Sequence, residues 1–487
     1  MGCGLRKKGR FNGANLTPSA VPADAPSLPI DPVGGSPARP TYPHPLPSPT
    51  ATTALARMRH PRPDADTHLS TLPNGVRVVT LQRPHLASAN VSVFIRSGSA
   101  HEAPRLAGIS HVLEHMVFKG TRTRDRRRIN LDAERLGADA NAHTDKDHTA
   151  FHLRGLAAHA RPFVRMLGDL VLQPTFPTDE LERERQVVLA ELAEDEDDPM
   201  STAFKLFDKT CFGAHPAGRP VIGTGAHIAR ITRDDLVACH ASQYTGANLV
   251  VAAAGPLDPQ AIAREAARVF GRVRPGTPHS VPLAAYAGGV ATRQVPGTGQ
   301  AHAVVGFALP PRTQDDPVGA VAAAVLGEGM SSPLMERLRE QLGLVYYAAC
   351  SADVFDMAGQ FVIEASMAPD RLDECLAEIA QLLQAHTRKV SAQDLDRARH
   401  QIAVRRLRAE EEPARMLEDA ALDLFSFGRV RTRAERSAQL KSVSTEAVRG
   451  AFRRMVASGA SVALSGQLGR GVRARVQAQM AGVLQAA

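Results

Sequence analysis

The sequence contains no tryptophan, and aromatic residues make up only 4% of its 487 residues. Proteins that bind single-stranded nucleic acid stack its bases on aromatic side chains, so this composition argues against that function. The formal net charge is +8, but the arginines are scattered among acidic residues and form no long basic tract. We therefore expect a solvated surface and no nucleic-acid partner.

Cysteines are also few, odd in number and widely spaced. Without a C-x-x-C pair, neither a disulfide framework nor a thiolate zinc site is indicated, and free thiols are expected. No apolar run approaches the ~18 residues of a membrane span, so we expect none. The basic N-terminus has no apolar segment after it, which favours a cytoplasmic location; a different start would make the periplasm the alternative.

Composition and pattern divide the chain into four parts. Residues 1–65 are rich in proline and alanine and are interpreted as a disordered tail or an over-extended start. Residues 66–272 are predicted to form a metal-binding α+β domain, 273–299 a Pro/Gly-rich linker, and 300–487 a second, metal-free α+β domain. Apolar periodicity and capping residues predict helices at about 104–119, 156–172, 178–196, 258–270, 317–330, 370–386 and 391–411.

The two halves resemble each other. The predicted strand AHAVVGFAL mirrors SANVSVFIR, and each is followed by a loop and an apolar helix. When Pro104 is aligned with Pro317, His111, Glu114 and His115 lie opposite Ala324, Gly327 and Glu328. We therefore predict two homologous α+β domains related by internal duplication, each an antiparallel-rich sheet with helices packed on it, of which only the first binds a metal.

The segment GISHVLEHMVFKGT carries the chemistry of the first half. His111 and His115 are four residues apart, so a helix places them on one side, with Glu114 beside them. Two imidazoles can bind one zinc ion, and a nearby carboxylate can accept a proton from water. The flanking apolar residues at helical spacing predict that this helix is buried.

A catalytic zinc site needs a third protein ligand, which the acidic helix at 178–196 can supply. Glu184 and Glu191 are seven residues apart and share one face, and the sequence pattern alone does not choose between them. The acidic run at 194–198 is interpreted as a solvated surface.

HVLEH, followed by a glutamate 76 residues beyond the second histidine, resembles the M16 (pitrilysin-type, inverzincin) metallopeptidases. The resemblance extends through LPNGVRVV, ANAHT, ERERQVVLAE, HPAGRPVIGT and LREQLGLVYY. It implies one zinc ion per chain, with Glu191 as the third ligand and Glu184 as a carboxylate that orients a histidine. It also implies that Glu114 is the general base in peptide-bond hydrolysis.

The same resemblance suggests how a peptide binds. An extended substrate is expected to add to an edge strand that contains Asn141 and Ala142. Arg339 and Tyr346 resemble the family's Arg/Tyr pair that reaches the substrate from the second domain, with Arg337 as a competing candidate. Pro333 stands where the family usually has an arginine.

Other histidines receive a different interpretation. His148 and His152 are predicted to share a face of one strand, but His143 is out of phase with them, so we expect no second metal site. His215 and Arg219 in HPAGRP are expected to structure a loop.

The sequence therefore predicts a zinc endopeptidase that cleaves unfolded or short peptides. The resemblance to short two-domain members implies a homodimer, or a heterodimer with a related M16 subunit. A non-catalytic subunit of such a heterodimer is the alternative.

Overall fold

The computed structural model describes residues 63–480. Most of the predicted tail, residues 1–62, lies outside the described residues, as does Cys3. The four cysteines in the described part, Cys211, Cys239, Cys350 and Cys375, carry free thiols as predicted. Within residues 63–480, none of the helices combines the length and apolarity needed to cross a bilayer.

Eleven strands in this part of the chain form two sheets. The first sheet has the order β1-β2-β6-β3-β5-β4 and the second β7-β11-β8-β10-β9. The strands are β1 Thr67–Thr71, β2 Arg77–Gln82, β3 Ser88–Ile95, β4 Asp139–Thr144, β5 Thr149–Leu156, β6 Leu249–Gly255, β7 Gly289–Gln294, β8 Ala301–Leu309, β9 Val345–Val354, β10 Gly359–Met367 and β11 Ser461–Gly466.

The two sheets share one topology, which confirms the predicted duplication. If β2 to β6 are matched in chain order with β7 to β11, the order of strands is identical in both sheets. The only parallel pairs among the described strands also correspond, because β2 pairs with β6 and β7 pairs with β11. The strand β1 extends the first sheet at one edge, so β4 and β9 are the equivalent opposite edges.

Helices pack on both sheets. Their bounds are α1 Ile109–Val117, α2 Arg126–Arg135, α3 Ala160–Leu172, α4 Thr178–Asp197, α5 Pro199–Phe212, α6 Gly225–Ile228, α7 Arg233–Gln243, α8 Pro259–Phe270, α9 Val318–Gly327, α10 Pro333–Met335, α11 Leu372–Arg388, α12 Ala392–Glu410, α13 Pro413–Phe427, α14 Arg433–Ser442, α15 Thr445–Ala457 and α16 Val472–Gln479. A π-helix, Glu336–Gln341, follows α10.

Two helices are exchanged between the halves. The helix α13 comes from the second half but covers one face of the first sheet, where Leu417 and Ala421 join Phe94 and Val250 in one buried cluster. The helix α5 comes from the first half and packs on the second sheet, and Phe207 is fully buried there. Because both faces of the central strands are covered, β6 is a continuous apolar run with every residue buried.

The predicted linker 273–299 needs one correction. The strand β7 lies inside it and pairs in parallel with β11 over all six of its residues. The backbone hydrogen bonds of this edge strand order a stretch whose proline and glycine content suggested a connection only.

Candidate metal centre

The motif helix α1 begins later than its sequence predicts. Residues 104–106 form a separate 3₁₀ turn, and Gly108 has φ 95°, a left-handed conformation that ends the turn before the helix starts. The buried carboxylate of Glu102 accepts hydrogen bonds from the backbone N–H groups of Gly108 and Ser110, at 2.7 and 2.8 Å. It therefore satisfies donors that the first turn of a helix leaves unpaired.

Three predicted ligand atoms meet between α1 and α4. The Nε2 atoms of His111 and His115 are 3.3 Å apart. Glu191 Oε2 lies 3.7 Å from the first of these nitrogens and 3.5 Å from the second. The structure thus brings together all three side chains predicted to bind the metal.

The hydrogen bonds around His115 fix which nitrogen faces this cluster. Its Nδ1 lies 2.9 Å from Glu184 Oε1, so the Nδ1–H donates there and, in the neutral imidazole that binds a metal, Nε2 carries the lone pair. Glu184 Oε2 in turn accepts from Lys119 Nζ at 2.5 Å. Burial opposes the charged carboxylate, but the hydrogen bonds from His115 and Lys119 lower the pKa of Glu184 below its usual value. Glu184 therefore orients a histidine, and Glu191 faces the cluster.

The donor set fits zinc. Zn–N bonds of about 2.0–2.1 Å place the ligands of a tetrahedral site about 3.3–3.4 Å apart, close to the distances among these three atoms. Burial, and then the charge of His115, lowers the pKa of His111 to about 3, so its imidazole is neutral as a ligand must be. Glu191 Oε2 is buried without a hydrogen-bond partner, as expected for an atom that ligates a metal.

Glu114 lies on the same helix and is 1% exposed. Thr144, the last residue of β4, donates a hydrogen bond of 2.7 Å from its hydroxyl to Glu114 Oε2. This bond holds the carboxylate in one orientation beside the three ligands. Sequence reasoning missed Thr144, although it lies in the ANAHT segment, because the contact depends on how β4 packs against α1.

Asn141 and Ala142 lie on β4, the edge strand predicted to receive substrate. β4 pairs only with β5 among the described strands, and its other edge is open for an added strand. Asn141 is exposed, and its Oδ1 accepts a hydrogen bond of 2.8 Å from the backbone N–H of Ala142. The same strand therefore carries an open edge and, in Thr144, a contact to Glu114.

Arg339 and Tyr346 lie together in the second half. The Arg339 guanidinium is 5.6 Å from the centre of the Tyr346 ring, and Tyr346 is 79% exposed on β9. The competing residue Arg337 is held in a two-bond ion pair by Glu378, at 2.7 and 3.0 Å. Arg337 is thus held by an acidic side chain, whereas Arg339 lies beside the exposed Tyr346 ring.

The second half replaces the metal cluster by arginine contacts. Its helix α9 corresponds to α1, and a side chain at Gly327 would collide with Cys350. Arg397 donates to backbone carbonyls at the end of α9, including that of Val325 at 2.7 Å, and Arg405 pairs with Glu328 at 3.2 Å. Both arginines lie on α12, the counterpart of α4.

The prediction that His143 is out of phase with His148 and His152 is wrong. His143 lies on β4 and pairs with Ala150 of β5, which puts it on the same sheet face as His152. Its Nε2 is 3.3 Å from His148 Nε2. The prediction failed because it counted alternation along a single strand, whereas these residues lie on both arms of a hairpin.

His215 and Arg219 make the loop contacts that were expected. His215 Nδ1 accepts from the backbone N–H of Ala217 at 3.1 Å, and Arg219 donates to the carbonyl of Glu102 at 3.0 Å. Lys119 was also missed by sequence reasoning, although its position four residues after His115, at the end of the helix predicted over 104–119, was a usable signal.

Two family models match the chain. Residues 77–225 match the insulinase family (peptidase family M16), and residues 230–402 match the peptidase M16 inactive domain. A protein from Bacillus subtilis, named an uncharacterized zinc protease, is 30% identical over 81% of this chain and 97% of its own length. A second uncharacterized zinc protease, from Mycobacterium leprae, is 34% identical over 64% of this chain and 72% of its own length.

Solved structures share the fold. A peptidase M16 inactive domain from Pseudomonas fluorescens superposes with a TM-score of 0.76 at 20% identity, covering 83% of this chain and 99% of its own. A protease from Helicobacter pylori gives the same TM-score and identity, covering 82% of this chain and 99% of its own.

Proposed function

The chain belongs to the M16 family of peptidases, and from that premise we propose that it is a zinc-dependent endopeptidase acting on unfolded or short peptides. The observation that carries this proposal is the cluster of His111, His115 and Glu191 with Glu114 beside it. A structural role does not require two buried imidazoles, a carboxylate oxygen without a hydrogen-bond partner and a further buried carboxylate to meet at one point.

The geometry supports a different role for each of these residues. His111, His115 and Glu191 would hold the zinc ion, which when bound would supply Lewis-acid polarisation of water and of the scissile carbonyl. Glu114 takes a proton from the attacking water as the new C–O bond forms, and delivers that proton to the leaving amine as the C–N bond breaks. Thr144 donates to Glu114 Oε2 and so holds the carboxylate in place for this proton transfer. Glu184 keeps His115 in the tautomer that offers Nε2.

An extended peptide fits the open edge of β4. Backbone hydrogen bonds along this edge would bind a substrate with little dependence on its sequence, which suits unfolded or short peptides. Arg339 and Tyr346 are proposed to contact the same substrate from the second half. We also propose that a second chain of similar size, either another copy or a related M16 subunit, completes the enzyme.

A non-catalytic subunit is the second candidate, because residues 230–402 match an inactive-domain model. That match lies in the half where arginines replace the metal cluster, whereas the four residues of the proposed active site lie in the half that matches the peptidase model.

Zinc analysis and cleavage of an internally quenched peptide distinguish the two candidates. The endopeptidase contains zinc and cleaves the peptide, and o-phenanthroline abolishes cleavage. A chain that holds no zinc and cleaves no peptide, alone or with any co-purifying partner, would contradict the proposal. Light scattering on the same sample gives the mass of the assembly.

A further inference from the structure

A second cluster of metal-ligand atoms lies between the two halves of the molecule. The Nε2 atoms of His143 and His148 are 3.3 Å apart, and Glu418 Oε1 is 3.4 Å from each of them. The two histidines come from the β4–β5 hairpin of the first sheet, and Glu418 comes from the exchanged helix α13. We propose that His143, His148 and Glu418 bind a second divalent metal ion, zinc in the first instance, that joins the two halves.

The distances among these atoms carry the proposal. A tetrahedral zinc site with bonds of about 2.0–2.1 Å separates its ligands by about 3.3–3.4 Å, which all three distances match. The triangle is more regular than that of His111, His115 and Glu191. The donor set is also the same, two imidazole Nε2 atoms and one carboxylate oxygen.

A chain of hydrogen bonds turns His143 toward the proposed ion. Asn90 Oδ1 accepts from the Ser92 hydroxyl at 3.2 Å, and that hydroxyl lies 2.7 Å from Nδ1 of His152. His152 Nε2 lies 3.1 Å from His143 Nδ1. Since the amide oxygen at the end only accepts, each imidazole donates through Nδ1, and His143 Nε2 keeps a lone pair that faces His148 and Glu418.

The surroundings make an unbalanced charge costly. His143, His148 and Glu418 are all buried, and Phe94, which is fully buried, packs 6.1 Å from the His148 ring. His148 Nδ1 is buried without a hydrogen-bond partner. A carboxylate oxygen and two inward-facing imidazole nitrogens that meet at one buried point form a donor set that suits a divalent cation.

The position of the site indicates a structural role for the ion. β4 carries the open edge proposed to bind peptide and the threonine that contacts Glu114. The ion would anchor the turn of this hairpin to α13 and so fix β4 against the second half. The ion therefore links the two halves beside the proposed catalytic centre. Occupancy of this second site does not depend on the ligands on α1 and α4.

Zinc counting on the full-length chain tests the inference. The protein is stripped with a chelator, reloaded with zinc, desalted and analysed by mass spectrometry for metal per chain. We expect two zinc ions in the wild type and one in the double variant His115→Ala/Glu191→Gln, which keeps a single ligand of the first site. Adding Glu418→Gln to that double variant should bring the count near zero.

The double variant keeps the test valid even where Glu418→Gln impairs folding, because it leaves the second site untouched. Zinc should also raise its Tm. Glu411→Gln is the control, because it removes one negative charge from an exposed side chain just before α13. This variant should bind two zinc ions per chain, as the wild type does. One ion in the wild type and none in the double variant would overturn the inference and leave a buried His–Glu ion pair in its place.

Discussion

Replacing Glu184 by glutamine should weaken zinc binding although Glu184 touches no metal. In the wild type its two oxygens are shared between the Nδ1–H of His115, at 2.9 Å, and the Lys119 ammonium, at 2.5 Å. Glutamine has one acceptor oxygen and one donor group, so it can serve only one of these partners. If its oxygen keeps His115, its NH₂ group faces the Lys119 ammonium, and two donors oppose each other.

The size of the effect follows from what the carboxylate does for the ligand. A hydrogen-bonded carboxylate makes an imidazole a better donor and fixes its tautomer, and losing such a partner costs about 10–100-fold in metal affinity, or about 1.4–2.7 kcal/mol. The lowered pKa of Glu184 agrees, because its hydrogen bonds to His115 and Lys119 outweigh the effect of burial. We expect a fall of this size in zinc affinity at the first site.

The assay is a competition titration with a chelator of known affinity near neutral pH, in a Glu418→Gln background so that one zinc site is measured. Glu182→Gln is the matched control, since it removes one charge from the same helix at a side chain that is 61% exposed. The control should bind zinc as the background protein does. Equal affinity in Glu184→Gln and Glu182→Gln would refute the role given to Glu184.

Three further predictions concern other contacts. Thr144→Val should lower kcat/KM about 10–100-fold at unchanged zinc content, because Glu114 loses a hydrogen bond worth about 1.5–3 kcal/mol. Thr144→Ser, which keeps the hydroxyl, should retain activity, and wild-type cleavage by the valine variant would contradict the role of this contact. Burial, with the charges of His279 and Arg96, lowers the pKa of His101 to about 4. The unfolded chain therefore binds more protons than the folded chain between about pH 6.5 and 4, and the free energy of unfolding decreases as the pH is lowered through this range. Urea titrations should show that between about pH 7.5 and 5 His101→Gln loses about 2 kcal/mol less stability than the wild type, whereas replacing the exposed His85 by glutamine leaves the loss unchanged. Phe207→Ala should cost about 3–5 kcal/mol in urea unfolding, because Phe207 is fully buried where α5 crosses to the second sheet; a cost below about 1 kcal/mol would contradict that packing.

Local pattern predicted several elements well. Helices expected at 258–270 and 391–411 appear as α8 and α12, each shifted by about one residue. Asp258 and Ser391 cap them, and such caps are visible in any sequence. The motif helix was less accurate at its start, because the left-handed Gly108 and the reach of Glu102 to the first turn depend on tertiary contacts.

Contacts between distant segments could not be read from local pattern. α5 and α13 each cover the sheet of the other half, and nothing in their own periodicity says which sheet that is. The same limit applies to His143, whose neighbours depend on the register of β4 against β5 and on Glu418, 275 positions further along the printed sequence. By contrast, His111, Glu114 and His115 share one helix, so their spacing alone placed them together.

The most direct test of the proposed chemistry is the pair of zinc content and peptide cleavage in Glu114→Gln. Glutamine keeps the shape of the side chain and cannot take a proton, so the variant should hold as much zinc as the wild type while kcat falls at least about 100-fold. Normal zinc content with full cleavage would contradict the role of Glu114 as the general base.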